Sequence, residues 1–196
     1  MRVPSRGRPR EFDTDDILDR AIRVFTERGY HGASVSDLTA GTGVTQGSLY
    51  KAFRDKRTLF LATLDRYKTV RRARMSAAAG TTGTALERLR RLLLFYAMSS
   101  EGEEGRTGCL VVRSLKDLGA LDEEVARELL AISRYNENAL LNLLREGQHD
   151  GSVSADLNVS AAAGMLFCLT QGMRVVGKTG RQGLDSIVDI ALSSLV

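Results

Sequence analysis

Residues 34–56 read SVSDLTAGTGVTQGSLYKAFRDK, and this stretch decides the fold. Ser34 and Asp37 have the spacing of a capping box, in which each side chain binds a free amide at the start of a helix. A glycine-rich segment then interrupts the chain, and Thr45 is placed to cap a second helix. Two short helices separated by a Gly-Val turn are typical of a helix-turn-helix.

The second helix of this motif has a polar front and an apolar back. Val44, Leu49 and Phe53 supply the back, which is expected to dock on the preceding helices. The front is small and polar, so that base edges in a major groove could approach it closely. Its amino end offers free amides and a positive dipole to phosphate. These residue types predict DNA contacts from Thr45, Gln46, Gly47, Ser48, Tyr50, Lys51 and Lys56.

Charge is unevenly distributed along the 196 residues. Residues 1–74 carry 16 Lys and Arg against 9 Asp and Glu, whereas residues 75–196 carry 12 against 15. A basic front half is typical of a module that binds a polyanion. Residues 1–11, which include Arg6 and Arg8, show no apolar period and are predicted to form a flexible basic arm. A merely solubilising tail is the alternative.

The rest of the chain is also predicted to be helical. Apolar residues recur at helical spacing, only two prolines occur, and no alternation is long enough for a strand. The fold class is therefore all-α, with a three-helix DNA-binding domain at residues 12–58 and a second helical domain at residues 59–196. The acidic residues 101–105 are expected to form a flexible break, followed by a short helix from Cys109 to Leu118.

Several function classes lack a supporting pattern. The longest strongly apolar run has seven residues, where a membrane span needs about 20. The Arg-rich start leads into acidic residues rather than into the apolar core of a signal peptide. His31 and His149 lack partners at metal-ligand spacing, and the glycines around Gly43 lack the spacing of a nucleotide-binding loop. We therefore expect a cytoplasmic protein with no membrane segment, metal, cofactor or catalytic role.

Residues 14–60 as a whole resemble the TetR family of bacterial transcriptional repressors, most specifically from Gly43 to Lys56. The matching residues outside that segment are Ala21, Phe25, Gly29, Tyr30, the run from Ser34 to Leu38, and Leu59. The first helix of the motif departs from the family pattern, because Thr39, Gly41 and Thr42 occupy a stretch where small alanines are usual. This departure concerns affinity rather than class.

The resemblance implies a homodimer that reads a palindromic operator through paired helix-turn-helix units. It further implies that the carboxy-terminal domain binds a small effector, which releases the DNA. The last two predicted helices, near residues 160–177 and 184–195, would form the dimer interface. The implied phosphate anchors are Ser34, Tyr50 and Lys56. The segment from Arg6 to Arg8 resembles arms that enter the adjacent minor groove.

Cys109 is a candidate sensor of thiol-reactive compounds. It begins a predicted helix whose dipole would lower the pKa of the thiol, and Arg106 or Arg113 could lower it further. The Gly-Cys-Leu segment resembles a TetR subgroup in which a cysteine at this point senses electrophiles or oxidants. The alternative is that Cys109 is a small buried hydrophobe. Cys168 lies in an apolar run and is expected to pack in the core.

Other candidate effector contacts are polar or bulky residues on the helices that should enclose the regulatory core. They are Phe95, Met98, Arg113, Tyr135, Asn138, Gln171 and Arg174. Ordinary core or surface roles are the alternative for each of them. The rival function is a helical enzyme or ligand carrier with an incidental helix-turn-helix, and it would need a reactive cluster that the sequence does not contain. An activating or architectural DNA-binding protein is a further alternative.

Overall fold

The computed structural model describes residues 14–196, and within them the chain is helical with no strand. The predicted arm, with Arg6 and Arg8, lies outside the described residues. The helices are α1 (Thr14–Gly32), α2 (Val35–Thr42), α3 (Gln46–Phe53), α4 (Lys56–Ala79), α5 (Ala85–Ser99), α6 (Gly102–Thr107), α7 (Leu110–Leu115), α8 (Glu123–Asp150), α9 (Val159–Val176) and α10 (Asp185–Ser193). The all-α fold class is confirmed.

Side-chain caps fix the boundaries of the short helices. The amide of Asp37 donates to Ser34 Oγ over 3.1 Å, and the amide of Ser34 donates to Asp37 Oδ2 over 3.0 Å, which completes the capping box before α2. Gly43 closes α2 with a φ of 74°, a left-handed conformation that glycine adopts without steric cost. Thr45 then caps α3, and Asp55 caps α4. The caps at Ser34 and Thr45 confirm the sequence interpretation.

The amino-terminal helices form one apolar core with the start of α4. Phe25 on α1 and Phe60 on α4 are fully buried, and their ring centroids lie 4.8 Å apart in an edge-to-face arrangement. Leu49 and Phe53 attach α3 to this core by its apolar face. The opposite face of α3 is therefore left outside.

The 24-residue helix α4 connects two apolar cores. At 1.5 Å per residue it is about 36 Å long. Leu59, Phe60 and Leu64 belong to the first core, whereas Met75 belongs to a second core built with α5, the latter half of α8, α9 and α10. A shift of α4 is therefore felt by both cores.

The acidic residues 101–105 do not form a flexible break. They belong largely to α6, whose Glu104 binds guanidiniums of α4, and whose Gly105 packs so closely that an added Cβ would meet the carbonyl of Ser100. Tertiary contacts thus order a segment of low helix propensity. The helix after it is also shorter than predicted, Leu110–Leu115, and residues 118–120 form a separate turn of 3-10 helix.

Cys168 corrects a second expectation, because its side chain is exposed on α9 rather than packed in the core. The segment Val159–Thr179 has a mean hydropathy of 1.4 and is long and apolar enough to cross a membrane, although core helices of soluble proteins meet the same criteria. Here α9 packs against α5 and α8, and it buries Thr170 and Arg174. The outward residues Met165 and Val175 leave an apolar strip on its other side.

Candidate nucleic-acid interface and regulatory core

Helix α3 presents a polar face to solvent. Thr45, Gln46, Gly47 and Lys51 are exposed, while Leu49 is only 3% exposed on the opposite side. Thr45 Oγ1 accepts from the amide of Ser48 over 3.3 Å, so the cap orders the first turn. The free amides and the dipole at this end point away from the protein body, which suits a polyanion.

Gly47 lies in the first turn of α3 without a conformational reason to be glycine. Its φ is not among the positive values, and a Cβ built on it would meet no atom within 4 Å. Neither backbone geometry nor internal packing therefore requires glycine. A bare backbone at this exposed point leaves room for a close approach by a partner.

Lys56 does not extend freely into solvent. Its Nζ donates to the carbonyl of His31 over 3.3 Å and lies 5.1 Å from the centroid of the Tyr30 ring, and burial lowers its pKa. Tyr30 in turn donates to Asp122 Oδ2 over 3.2 Å. These contacts join the helix-turn-helix to the segment before α8.

The Ser34→Ala variant is expected to lose about 1 kcal/mol of unfolding free energy, because the amide of Asp37 loses its capping acceptor. Hydrogen bonds from Ser34 are the main cause that lowers the pKa of Asp37. The carboxylate of Asp37 therefore contributes to the unfolding free energy above the pKa that it has in the unfolded chain. This contribution is lost as the pH falls through its lowered pKa in the folded protein. Urea unfolding of wild type and Ser34→Ala should therefore give a smaller difference in unfolding free energy at pH 3 than at pH 7. An equal loss in Ser36→Ala would contradict this account.

A buried polar cluster lies in the regulatory core, at the junction of α4, α6 and α9. Arg174 is 2% exposed and donates to the carbonyl of Gly108 over 2.8 Å and to that of Ser99. Arg71 is 8% exposed and binds Glu104 Oε1 over 3.1 Å. Two buried guanidiniums and a carboxylate thus meet in one place.

Cys109 and Tyr67 adjoin the buried guanidiniums. Tyr67 Oη lies 3.1 Å from Cys109 Sγ. Burial raises the pKa of Tyr67. For Cys109, burial is opposed by the positive charges of Arg174 and Arg71 and by the hydrogen bond with Tyr67, and the net effect lowers the thiol pKa. The thiol pKa is therefore lowered, and Cys109 is only 9% exposed.

A pocket of about 460 Å³ opens beside this cluster. Its walls come from α1, α4 and α6, with the end of α9 at its base. The charged residues among its lining are Asp19, Arg23, Arg71, Arg74, Glu103, Glu104 and Arg174. Because α1 also belongs to the first core, the pocket lies between the helix-turn-helix unit and the regulatory helices.

Two family models match the chain. Residues 17–63 match the tetR family of bacterial regulatory proteins, and residues 85–182 match the carboxy-terminal domain of tetracyclin repressor-like proteins. The chain belongs to the TetR family. The carboxy-terminal half is thus matched as well as the helix-turn-helix.

TetR-family relatives resemble the chain over nearly its full length. The HTH-type transcriptional repressor ComR of Escherichia coli (strain K12) is 30% identical, covering 97% of this chain and 91% of ComR. The uncharacterized HTH-type regulator YezE of Bacillus subtilis (strain 168) is 31% identical, covering 96% and 99%. A cysteine mutant of the TetR-family regulator CifR, solved in complex with 26-bp double-strand operator DNA, superposes with a TM-score of 0.82 at 31% identity, covering 95% and 99%.

The candidate effector contacts lie at different places in this TetR fold. Phe95 packs under Arg71, with 4.6 Å from the guanidinium carbon to the ring centroid. Gln171 lies with Cys109 and Arg174 around a small crevice of about 20 Å³. Of the seven candidates, Arg174 lines the 460 Å³ pocket and the other six do not. Met98 is 75% exposed, Asn138 is exposed, Tyr135 stacks on Arg72 in a third pocket, and Arg113 donates to the carbonyl of Arg28 on α1.

The guanidiniums that flank Cys109 are Arg71 and Arg174, and not Arg106 or Arg113 as the sequence suggested. Arg106 lies on the ordered helix α6, and its side chain is exposed. The sequence interpretation missed Tyr67, Arg71 and Glu104 as members of the cluster. They carry no motif, and only the tertiary contacts of α4 with Glu104 and Cys109 bring them together.

Proposed function

We propose that the chain is a one-component transcriptional repressor that binds a palindromic operator as a homodimer and is released by a small effector or a thiol-reactive compound. The observation that carries this proposal is the exposed polar face of α3 on a TetR fold, with Gly47 left bare in its first turn. The relatives named repressors, and the operator complex of CifR, support it. Such a protein acts in the cytoplasm, where its DNA is.

In this proposal α3 enters the major groove of each half-site. Gln46 and its neighbours would supply sequence preference, whereas Ser34, Tyr50, Lys51 and Lys56 would contact phosphates. Residues 12–58 would act as the DNA-binding domain and residues 59–196 as the regulatory and dimerisation domain. Arg6 and Arg8, outside the described residues, would extend into the adjacent minor groove.

The last two helices are proposed as the dimer interface. Exposed apolar side chains follow their outer surface, with Ile190 72% exposed, Val175 57% and Met165 45%. Apolar surface of this kind is typical of association sites. A two-fold pairing through these helices would place two α3 helices for successive major grooves, roughly 34 Å apart.

The DNA-binding proposal is tested by comparing Gln46→Ala with Lys51→Ala in selections from a randomised duplex library. The Gln46→Ala variant is expected to select a changed consensus, because a base contact is removed. The Lys51→Ala variant should keep the consensus but bind all duplexes more weakly, with a smaller dependence on salt concentration. Recovery of the same site with the same salt dependence by both variants and by wild type would contradict these roles.

Thiol-dependent release is expected to require Cys109 and not Cys168. The charges of Arg174 and Arg71 lower the pKa of the Cys109 thiol, which favours the reactive thiolate, whereas Cys168 is an exposed thiol outside the cluster. Addition of N-ethylmaleimide to the DNA complex should release wild type and Cys168→Ser, but leave Cys109→Ser bound in fluorescence anisotropy. Release of Cys109→Ser at the wild-type rate would remove the sensor role while leaving repression by a reversible effector intact.

A further inference from the structure

Three guanidiniums in the regulatory core share one carboxylate. Glu104 lies 3.1 Å from Arg71, 3.0 Å from Arg74 and 3.9 Å from Arg174. The two arginines nearest the core are almost wholly buried, and Glu104 itself keeps 38% of its side chain exposed. The cluster therefore holds more positive than negative charge in a place where water compensates little of it.

Arg174 shows this lack of negative charge most clearly. Its two Nη groups donate to neutral carbonyls, and its buried Nε has no hydrogen-bond partner. The other acids that line the adjoining pocket do not compensate it: Asp19 is held by Arg66 over 2.9 Å, and Glu103 is exposed with no ion pair in the described part of the chain. A buried donor without an acceptor is costly, and an anion would relieve that cost.

The adjoining pocket is larger than an inorganic anion needs. At about 460 Å³ it has the size of a small-molecule site. Ile22 on α1, with Val70 and the ring of Tyr67 on α4, adds apolar surface to its wall. The lining thus combines guanidiniums with apolar surface, a combination that fits an amphipathic organic anion.

We propose that this pocket binds a small organic carboxylate, with its head group on Arg71 and Arg174 in competition with Glu104, and its apolar part against Ile22 and Val70. This inference rests on the proposed function, because it makes the carboxylate the effector. Carboxylate and guanidinium form the paired, charge-assisted hydrogen bonds that hold such head groups.

The position of the pocket connects occupancy to DNA release. Glu104 belongs to α6, which packs against α1, and α1 supplies a wall of the pocket as well as the support of the helix-turn-helix. A carboxylate that displaces Glu104 frees α6 from α4, and its apolar part separates α1 from α4. Both changes alter how α3 is held relative to the dimer helices.

The test is calorimetric titration of the full chain, without DNA, with acetate, hexanoate and benzoate, against the neutral hexanamide and benzamide and against inorganic phosphate. Hexanoate or benzoate should bind at least about tenfold more tightly than its amide, since a charged partner is gained. Acetate and phosphate should bind more weakly than the tighter-binding of hexanoate and benzoate, because they contact the guanidiniums but not the apolar surface. Equal binding of acid and amide, no binding of any acid, or phosphate as the tightest partner would overturn the proposal.

The Glu104→Gln variant is the most decisive test, because it removes the carboxylate that competes for the guanidiniums. It should bind the carboxylate about tenfold more tightly than wild type and gain more thermal stability from it. Glu103→Gln removes the same charge from the lining of the pocket but frees no guanidinium, because Glu103 has no ion pair among the described residues, so it should tighten binding by less than about threefold. Arg71→Met should lose binding, with its fold checked by circular dichroism; should it not fold, the comparison of Glu104→Gln with Glu103→Gln decides. Equal affinities of those two glutamine variants would overturn the competition.

DNA titration of the same preparations separates the two proposals. Duplex binding without any carboxylate binding would refute the pocket assignment and leave repression standing. Carboxylate binding that follows the predicted pattern in a chain indifferent to duplex DNA would refute repression and keep the pocket. Release of bound DNA by the carboxylate, stronger in Glu104→Gln than in Glu103→Gln, supports both.

Discussion

The Gly47→Glu variant is expected to fold as wild type and to lose operator affinity by a factor of about 100 or more, since a like charge against phosphate costs several kcal/mol. The fold should tolerate the change, because an added Cβ meets no atom within 4 Å and the position has an ordinary backbone conformation. A carboxylate in the first turn of α3 also interacts favourably with the helix dipole. Anisotropy titration with a selected operator, beside thermal unfolding, measures both effects.

Gly119→Glu is the matched control for this variant. Gly119 also has open space around a built Cβ, and it lies in the 3-10 turn before α8 rather than on α3. The Gly119→Glu variant adds the same charge to the chain and should retain most of the affinity for the operator. Operator binding by Gly47→Glu within about threefold of this control would mean that the face of α3 does not approach the duplex closely.

The Ile190→Asp variant is expected to convert a dimer into a monomer. Ile190 points outward from α10, so the isolated chain should fold with aspartate there. An unpaired carboxylate buried in the dimer interface costs about 3–5 kcal/mol, which raises the dissociation constant of the dimer by about 100-fold or more. Sedimentation velocity at micromolar concentration should show the monomer, and operator affinity should fall with it.

Leu130→Asp controls for the loss of an exposed apolar side chain. Leu130 is 39% exposed on α8, outside the last two helices. This variant should remain dimeric and bind the operator. A monomeric Leu130→Asp together with a dimeric Ile190→Asp would move the interface away from α9 and α10 and contradict the pairing proposed for them.

The helix-turn-helix could be predicted because its determinants are local. The cap of each short helix lies within three residues of the amide it serves, as Ser34 does for Asp37 and Thr45 for Ser48. Leu49 and Phe53 then orient α3 by simple periodicity. Where the sequence carries both ends of an interaction within one turn, a pattern is sufficient.

The regulatory core could not be predicted in the same way, because its determinants are distant in sequence. Arg71 meets Glu104 across 33 residues and Arg174 meets Gly108 across 66. Nothing in the local sequence separates Arg71 from its exposed neighbour Arg74, or Glu104 from Glu103. The same applies to α6, which looked like a flexible acidic break until its tertiary partners were known.

The exposure of Cys168 illustrates a further limit of periodicity. An apolar run on α9 predicts burial, but the pattern does not say whether the apolar surface is covered by the same chain or by a second copy. Met165 and Cys168 lie on the side of α9 that the single chain leaves open. Apolar surface destined for an interface has the same composition as a core.

Selection of duplex fragments from the organism's own genome, with wild type and Gly47→Glu in parallel, tests the central claim most directly. Wild type should enrich fragments that share one inverted repeat, with half-site centres about one helical turn apart. Gly47→Glu should enrich none of them. Failure of wild type to enrich any common duplex site, or recovery of the same site by both proteins, would contradict the claim that α3 reads DNA in pairs.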